Sequence, residues 1–181
     1  DPGHGGEDPG KVGTNDVLEK DLNLQIAKKV KKLLEEAGIK IVMTREDDKV
    51  PKAKKEDLNQ RIQLINDTKP TLALCIHQNS YPDQAIKGAQ VFYHTVTEEA
   101  EDAASIVQEE LRTVDPTNKR QIKENDTYYM LKHTKVPTII VECGFLSNDE
   151  ENKLLQNDSY QNQLAWSIYS GIMDYFKKCN C

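Results

Sequence analysis

The segment Thr71-Leu72-Ala73-Leu74-Cys75-Ile76-His77 holds the longest uninterrupted apolar run of the chain, the five residues Leu72 to Ile76, and closes on a histidine. A strand covered on one face alternates apolar and polar residues. This one does not, so it reads as a central strand of a parallel sheet, buried on both faces. It falls far short of the ~20 apolar residues that a membrane-spanning helix needs.

The pattern continues on both sides of that strand. Upstream, Leu58, Ile62 and Ile65 mark the inner face of a helix over Leu58 to Thr68, and Ile39 to Thr44 alternates like a strand. Apolar residues at 18, 22, 26, 30, 33, 34 and 37 define a helix over Leu18 to Ala37, which Asn15 or Asp16 is placed to cap and Gly38 to end. Downstream come a strand at Ala89 to Tyr93, a helix at Glu98 to Arg112, a helical turn at Tyr128 to Lys132, a strand at Thr138 to Glu142 and a long helix at Ser159 to Lys177. Strands alternating with helices of this length give the α/β class. The expected architecture is a single domain over residues 1–181, a mostly parallel twisted sheet of about six strands with helices on both faces.

A length of 181 residues suits one domain, and 37% hydrophobic residues with only 9 Gly and 7 Pro exclude a disordered or collagen-like chain. Lys plus Arg number 24 against 30 Asp plus Glu, a net charge of −6 that repels a phosphate backbone, so no nucleic acid partner is expected. The opening Asp1-Pro2-Gly3-His4-Gly5-Gly6 is a turn-rich loop of the kind that follows a strand. A first strand and an export segment are therefore expected upstream of Asp1.

In an open α/β sheet, ligands collect at the carboxyl ends of the strands. Four chemically capable residues fall at or near such ends: His4, Glu19, His77 and Glu142. Two imidazoles and one carboxylate, with the fourth position left to water, make the ligand set of a catalytic zinc site. The carboxylate left over has a use there as general base and acid, and Glu142 is the candidate. Each residue taken singly is unremarkable, and ligands 15 and 58 residues apart match no short metal signature.

The blocks Asp1-Pro2-Gly3-His4-Gly5-Gly6, Leu18-Glu19-Lys20-Asp21-Leu22-Asn23-Leu24, Thr44-Arg45, Ile76-His77-Gln78-Asn79-Ser80 and Val141-Glu142-Cys143-Gly144-Phe145-Leu146-Ser147-Asn148 resemble, in this order, those of the zinc-dependent N-acetylmuramoyl-L-alanine amidases of the amidase-3 type. The resemblance implies a phosphorylase/hydrolase-like fold, zinc held by His4, Glu19 and His77, and Glu142 as the catalytic residue. It also implies a substrate, peptidoglycan glycan strands with stem peptides, cut between N-acetylmuramic acid and L-alanine. A finer similarity, through residues 78–82, 115–120 and 125–134, is to the spore-cortex, germination-specific members. That branch implies an exported enzyme of the spore cortex or intermembrane space, helped by an accessory protein, whose product passes to a muramoyl deacetylase on the route to muramic-δ-lactam. The alternatives are a general cell-wall autolysin and a zinc carboxypeptidase-like hydrolase of the stem peptide.

Three further residues are candidates for substrate contact. Asn79 follows His77 closely enough to touch substrate or to orient a zinc-bound imidazole. Arg45, just past a predicted strand end, is placed to pair with a ligand or substrate carboxylate, or to make a surface ion pair; His133 is placed to line the groove. Cys75 and Cys143 read as small buried hydrophobes. The Cys179 and Cys181 spacing strains a disulfide and leaves their oxidation state open.

Overall fold

The computed structural model describes residues 1–95 and 98–181. Helix α1 (Glu19–Glu36) is followed by α2 (Lys54–Thr68), β1 (Ala73–Asn79), β2 (Gln90–Tyr93), α3 (Glu98–Leu111), β3 (Lys123–Glu124), α4 (Tyr129–His133), β4 (Thr138–Phe145), α5 (Asp149–Leu155) and α6 (Asp158–Cys179). The strands order β1-β4-β2-β3, with β1 parallel to β4, β4 antiparallel to β2 and β2 parallel to β3. The α/β class holds, but the described sheet has four strands rather than about six, and it is mixed.

The short β3 was not expected, and the predicted strand Ile39 to Thr44 is absent. These residues line one side of a cavity of about 610 Å³ whose other side includes Leu72, Ala73 and Leu74, so the two backbones do not meet in a ladder. Alternation reports which side chains are covered; a ladder also needs a partner within hydrogen-bonding distance. Residues 1–3 instead lie beside β1, with the Gly3 N–H donating to the Ile76 carbonyl and the Ile76 N–H to that of Asp1.

Both faces of the sheet are covered, as expected. Ile76, Val91, Ile139, Val141 and Cys143 pack against α1, α3 and α6, while Cys75, Phe92 and Ile140 meet Ile65 of α2 and Met130 and Leu131 of α4. The two faces alternate along β4, which is buried throughout its length. Cys75 and Cys143 are free and buried, and Cys179 and Cys181 are joined in a disulfide. No described helix is long and apolar enough to cross a membrane.

The ends of α1 position the site. At its C-terminus Gly38, at φ +82°, closes the helix with the Gly38 N–H donating to the Glu35 carbonyl and the Ile39 N–H to that of Leu34. At its N-terminus neither Asn15 nor Asp16 caps it; both lie in the turn Thr14–Asp16, and Leu18 is the capping position without a side-chain bond. The first N–H groups go to loop carbonyls, Glu19 to Lys11 and Lys20 to Pro9. Helix α1 is thereby docked on the loop that carries His4.

Candidate metal centre and active site

His4, Glu19 and His77 converge, their ligand atoms all within 4.8 Å of one another. Glu19 Oε1 lies 3.3 Å from His4 Nε2 and 3.0 Å from His77 Nδ1. Zinc bonds of 2.0–2.1 Å at tetrahedral angles put neighbouring ligand atoms ~3.4 Å apart, close to the two spacings from Glu19 Oε1, and two nitrogens and an oxygen are donor types that suit that ion. Further donors fix the carboxylate: Lys11 N–H to Oε2 at 2.7 Å, Gln78 N–H to Oε1 at 3.1 Å and the Asn23 amide to Oε1 at 3.4 Å. Burial would raise the pKa of Glu19, but the hydrogen bonds and charges of His4 and His77 outweigh it and hold the carboxyl well below the ordinary range. Burial would likewise lower His4; its pairing with Glu19 and Asp8 raises it instead.

The His4 loop is held by its backbone. Arg61, 3% exposed, donates to the carbonyls of Pro2 and His4, each at 2.7 Å, and pairs with Asp57 and Asp1, each at 2.9 Å. Arg45, 5% exposed, donates to the carbonyls of Pro2, Gly3, Lys20 and Asp47. Three successive carbonyls are thus gripped by two buried guanidiniums. All three guanidinium nitrogens of Arg45 bond backbone oxygens, and its burial sets aside the surface ion pair. The grip also explains how His4 sustains φ +62°, a conformation costing a non-glycine residue on the order of 1 kcal/mol.

Asp8 accepts from His4 Nδ1 at 3.0 Å and turns Nε2 toward Glu19, so the outer partner of an imidazole comes from this loop and not from Asn79. Asn79 binds its own neighbour, its side-chain oxygen accepting from the Ser80 N–H at 2.8 Å. His133 sits at the end of α4 with Nδ1 on the Tyr129 carbonyl and its ring stacked on that of Tyr129 at 4.0 Å. Gly10, at φ +69°, allows the loop to close on Glu19 and His4: a Cβ there would lie 2.5 Å from Glu19 Oε2 and 2.7 Å from His4 Cδ2.

Glu142 stands opposite His77 in the β1–β4 pairing. It is 6% exposed, and its Oε2 is buried with no hydrogen-bond partner among the described residues. Burial pushes its pKa up to about 7, with the Glu19 charge adding and the two histidines opposing. Tyr128, whose ring lies 5.3 Å from that of Phe92, has its phenol pushed up to about 12 by burial and then by the charges of Glu142 and Glu19, which puts it beside the same site. Sequence reading missed Arg61, Asp8, Asn23 and Tyr128. For Asp8 the signal was its place four residues after His4; for Arg61 a basic residue flanked by the inner-face positions of α2 was the clue.

The amidase-3 family, described as N-acetylmuramoyl-L-alanine amidase, matches residues 1–174. The chain belongs to that family. It is 40% identical over 185 residues to the germination-specific N-acetylmuramoyl-L-alanine amidase of Bacillus subtilis (strain 168), across 97% of this chain and 78% of that protein. Its fold superimposes on the CwlD amidase of Clostridioides difficile, solved in complex with the GerS lipoprotein, with a TM-score of 0.93, 36% identity and coverage of 98% and 96% of the two chains. The catalytic domain of CwlV from Bacillus (Paenibacillus) polymyxa var. colistinus follows at a TM-score of 0.87, 28% identity and coverage of 97% and 95%. An amidase-3 chain is an N-acetylmuramoyl-L-alanine amidase, and the resemblance of its sequence blocks is accounted for.

Proposed function

We propose that this amidase is zinc-dependent and acts on spore-cortex peptidoglycan, with His4, Glu19 and His77 holding the metal and Glu142 moving the proton. The observation that carries the reading is the convergence of three metal-type donors beside a buried carboxylate whose Oε2 has no partner. Zinc bound there would polarise the lactyl carbonyl and acidify a water molecule. Glu142 takes the proton from the attacking water and, as the amide carbon collapses, delivers it to the departing alanine nitrogen. A carboxyl group poised near pH 7 suits both halves of that transfer. Asp8 and Glu19 hold His4 in one orientation, and no nucleophilic side chain is called on.

The cortex assignment is supported by similarity to a protein named germination-specific, and it sets this enzyme ahead of a muramoyl deacetylase on the route to muramic-δ-lactam. Peptidoglycan lies outside the membrane, so the chain works after export, in the cortex or intermembrane space. An accessory protein is supported by the lipoprotein complex of the similar C. difficile enzyme.

The test uses purified muropeptides with zinc-loaded and chelator-stripped protein. The expected products are intact stem peptides with a free L-alanine amine and a muramic acid bearing a free lactyl carboxylate, formed only with metal. Undiminished activity after complete metal removal would defeat the zinc assignment, and shortened stem peptides still attached to glycan would reveal a carboxypeptidase instead.

A further inference from the structure

The sheet aligns a row of side chains that the reaction as described does not exhaust. His77 and Gln90 are the Cα partners of Glu142 on either side, so all three side chains project from one face, His77 toward the metal ligands and Gln90 away from them. Gln90 Oε1 accepts from Arg120 Nη1 at 3.1 Å, and Arg120 Nε donates to the Lys87 carbonyl at 2.8 Å. The guanidinium lies over the Phe145 ring, 4.6 Å from its centroid. Two hydrogen bonds and an aromatic face therefore fix Arg120 in place, and Nη2 is left without a partner among the described residues. Beside it opens a cavity of about 320 Å³. Of the other charged groups around that cavity, Lys87 is paired with Glu150 at 2.9 Å, Asp115 accepts from the Thr117 N–H and hydroxyl, and Lys119 is an exposed side chain with no ion pair among the described residues to hold it in place. Arg120 is the cation held rigid at the site end of the sheet and still carrying a spare donor.

The direction of the row assigns a ligand. A carboxyl group that protonates the departing nitrogen stands on the leaving-group side of the scissile bond, so the stem peptide extends from Glu142 toward Gln90 and Arg120. In a stem peptide the acidic residue after L-alanine is joined onward through its side-chain carboxyl, which leaves its α-carboxylate free. That carboxylate stands about five bonds from the alanine nitrogen, on the order of 6 Å. One strand spacing of ~4.8 Å and the length of a hydrogen bond separate the Glu142 position from the guanidinium. We propose that Arg120 is a specificity residue that pairs with this first free carboxylate of the stem peptide. The proposal rests on the amidase reading above. A fixed fork of donors suits a planar carboxylate better than a flexible ammonium does.

The experiment compares two muropeptides, identical except that the second residue carries a free α-carboxylate or its amide, on zinc-loaded wild type, Arg120→Ala and Arg120→Lys. Wild type is expected to prefer the carboxylate by about tenfold in kcat/KM, chiefly through KM. Arg120→Ala should lose that factor on the acid and leave the amide unchanged, abolishing the preference, while Arg120→Lys keeps part of it. Equal treatment of acid and amide by wild type, or an equal loss on both in Arg120→Ala, would overturn the assignment and leave a structural role. If loaded wild type cleaves neither compound, the amidase reading fails and the assignment falls with it.

Discussion

The first turn of α1 and the middle of β4 each bury a carboxylate at the same site, and they treat it in opposite ways. Glu19 is surrounded by donors and held strongly acidic. Glu142, also buried, keeps a buried oxygen without a partner among the described residues and is pushed up to about 7. Burial acts on both in the same direction; what separates them is the number of hydrogen bonds and charges supplied. A carboxylate that never changes protonation suits a ligand, and one balanced near neutrality suits a proton carrier.

Exchanging the two tests that division most severely. Glu142→Gln should lower kcat by about 10²–10⁴-fold, the worth of a general base, while zinc stoichiometry stays at one per chain by elemental analysis. Glu19→Gln should instead lower zinc occupancy. Loss of metal from Glu142→Gln, with full metal in Glu19→Gln, would reverse the two roles.

The next test asks whether the Glu19 side depends on its arginine grip. Arg61→Met strips the Asp57 carboxylate and the His4 carbonyl of their arginine and leaves Asp1 with Thr44 and the Pro2 carbonyl with Arg45. Removing one member of a buried ion pair costs about 3–5 kcal/mol, which for a chain of this size lowers Tm by roughly 10 °C. Thermal unfolding without metal measures it, and a shift below about 2 °C would show that the loop holds itself.

Most of the site was legible in the sequence because strand ends and a first helical turn are local features. His77 terminates an apolar run, Glu142 does the same, and Glu19 opens a helix whose apolar spacing is regular. What escaped depends on distant partners. Arg61 lies between Leu58 and Ile62, where a helical pattern predicts a flanking solvated residue, yet its partners are 57–60 residues away in the opening loop. Helix α5, in the sequence Asp149-Glu150-Glu151-Asn152-Lys153-Leu154-Leu155, is too short and polar to show a period; Asn148, whose side chain accepts from the Glu151 N–H, is its one local signal. Ile39 to Thr44 alternates correctly and still makes no ladder, because pairing belongs to the assembled sheet.

A smaller perturbation acts on one side of the comparison alone. Gly10→Ala drives a methyl against Glu19 and His4 in a backbone conformation that alanine resists. Zinc affinity, by competition with a chromogenic chelator, should fall about tenfold, with the Glu142 side undisturbed; unchanged affinity would show that the loop yields. The pH acts on the same side, with a comparable effect per unit. His4 titrates above its ordinary value, so below that point it is protonated and must release its proton to bind metal. Zinc affinity should then fall about tenfold per pH unit, with one proton released per zinc in calorimetry across buffers of different ionisation enthalpy. Affinity independent of pH between 5 and 7 would remove His4 from the ligand set.

The row His77–Glu142–Gln90 spans three strands, with each member facing the same way. Because strand side chains alternate, a slip of β4 by one residue would turn Glu142 to the opposite face and bring Val141 or Cys143 into its place. A misregistered molecule would therefore be inert rather than slow. Specific activity in a refolded sample counts molecules with the correct strand register, which makes turnover a meter of folding fidelity that secondary-structure spectroscopy cannot match.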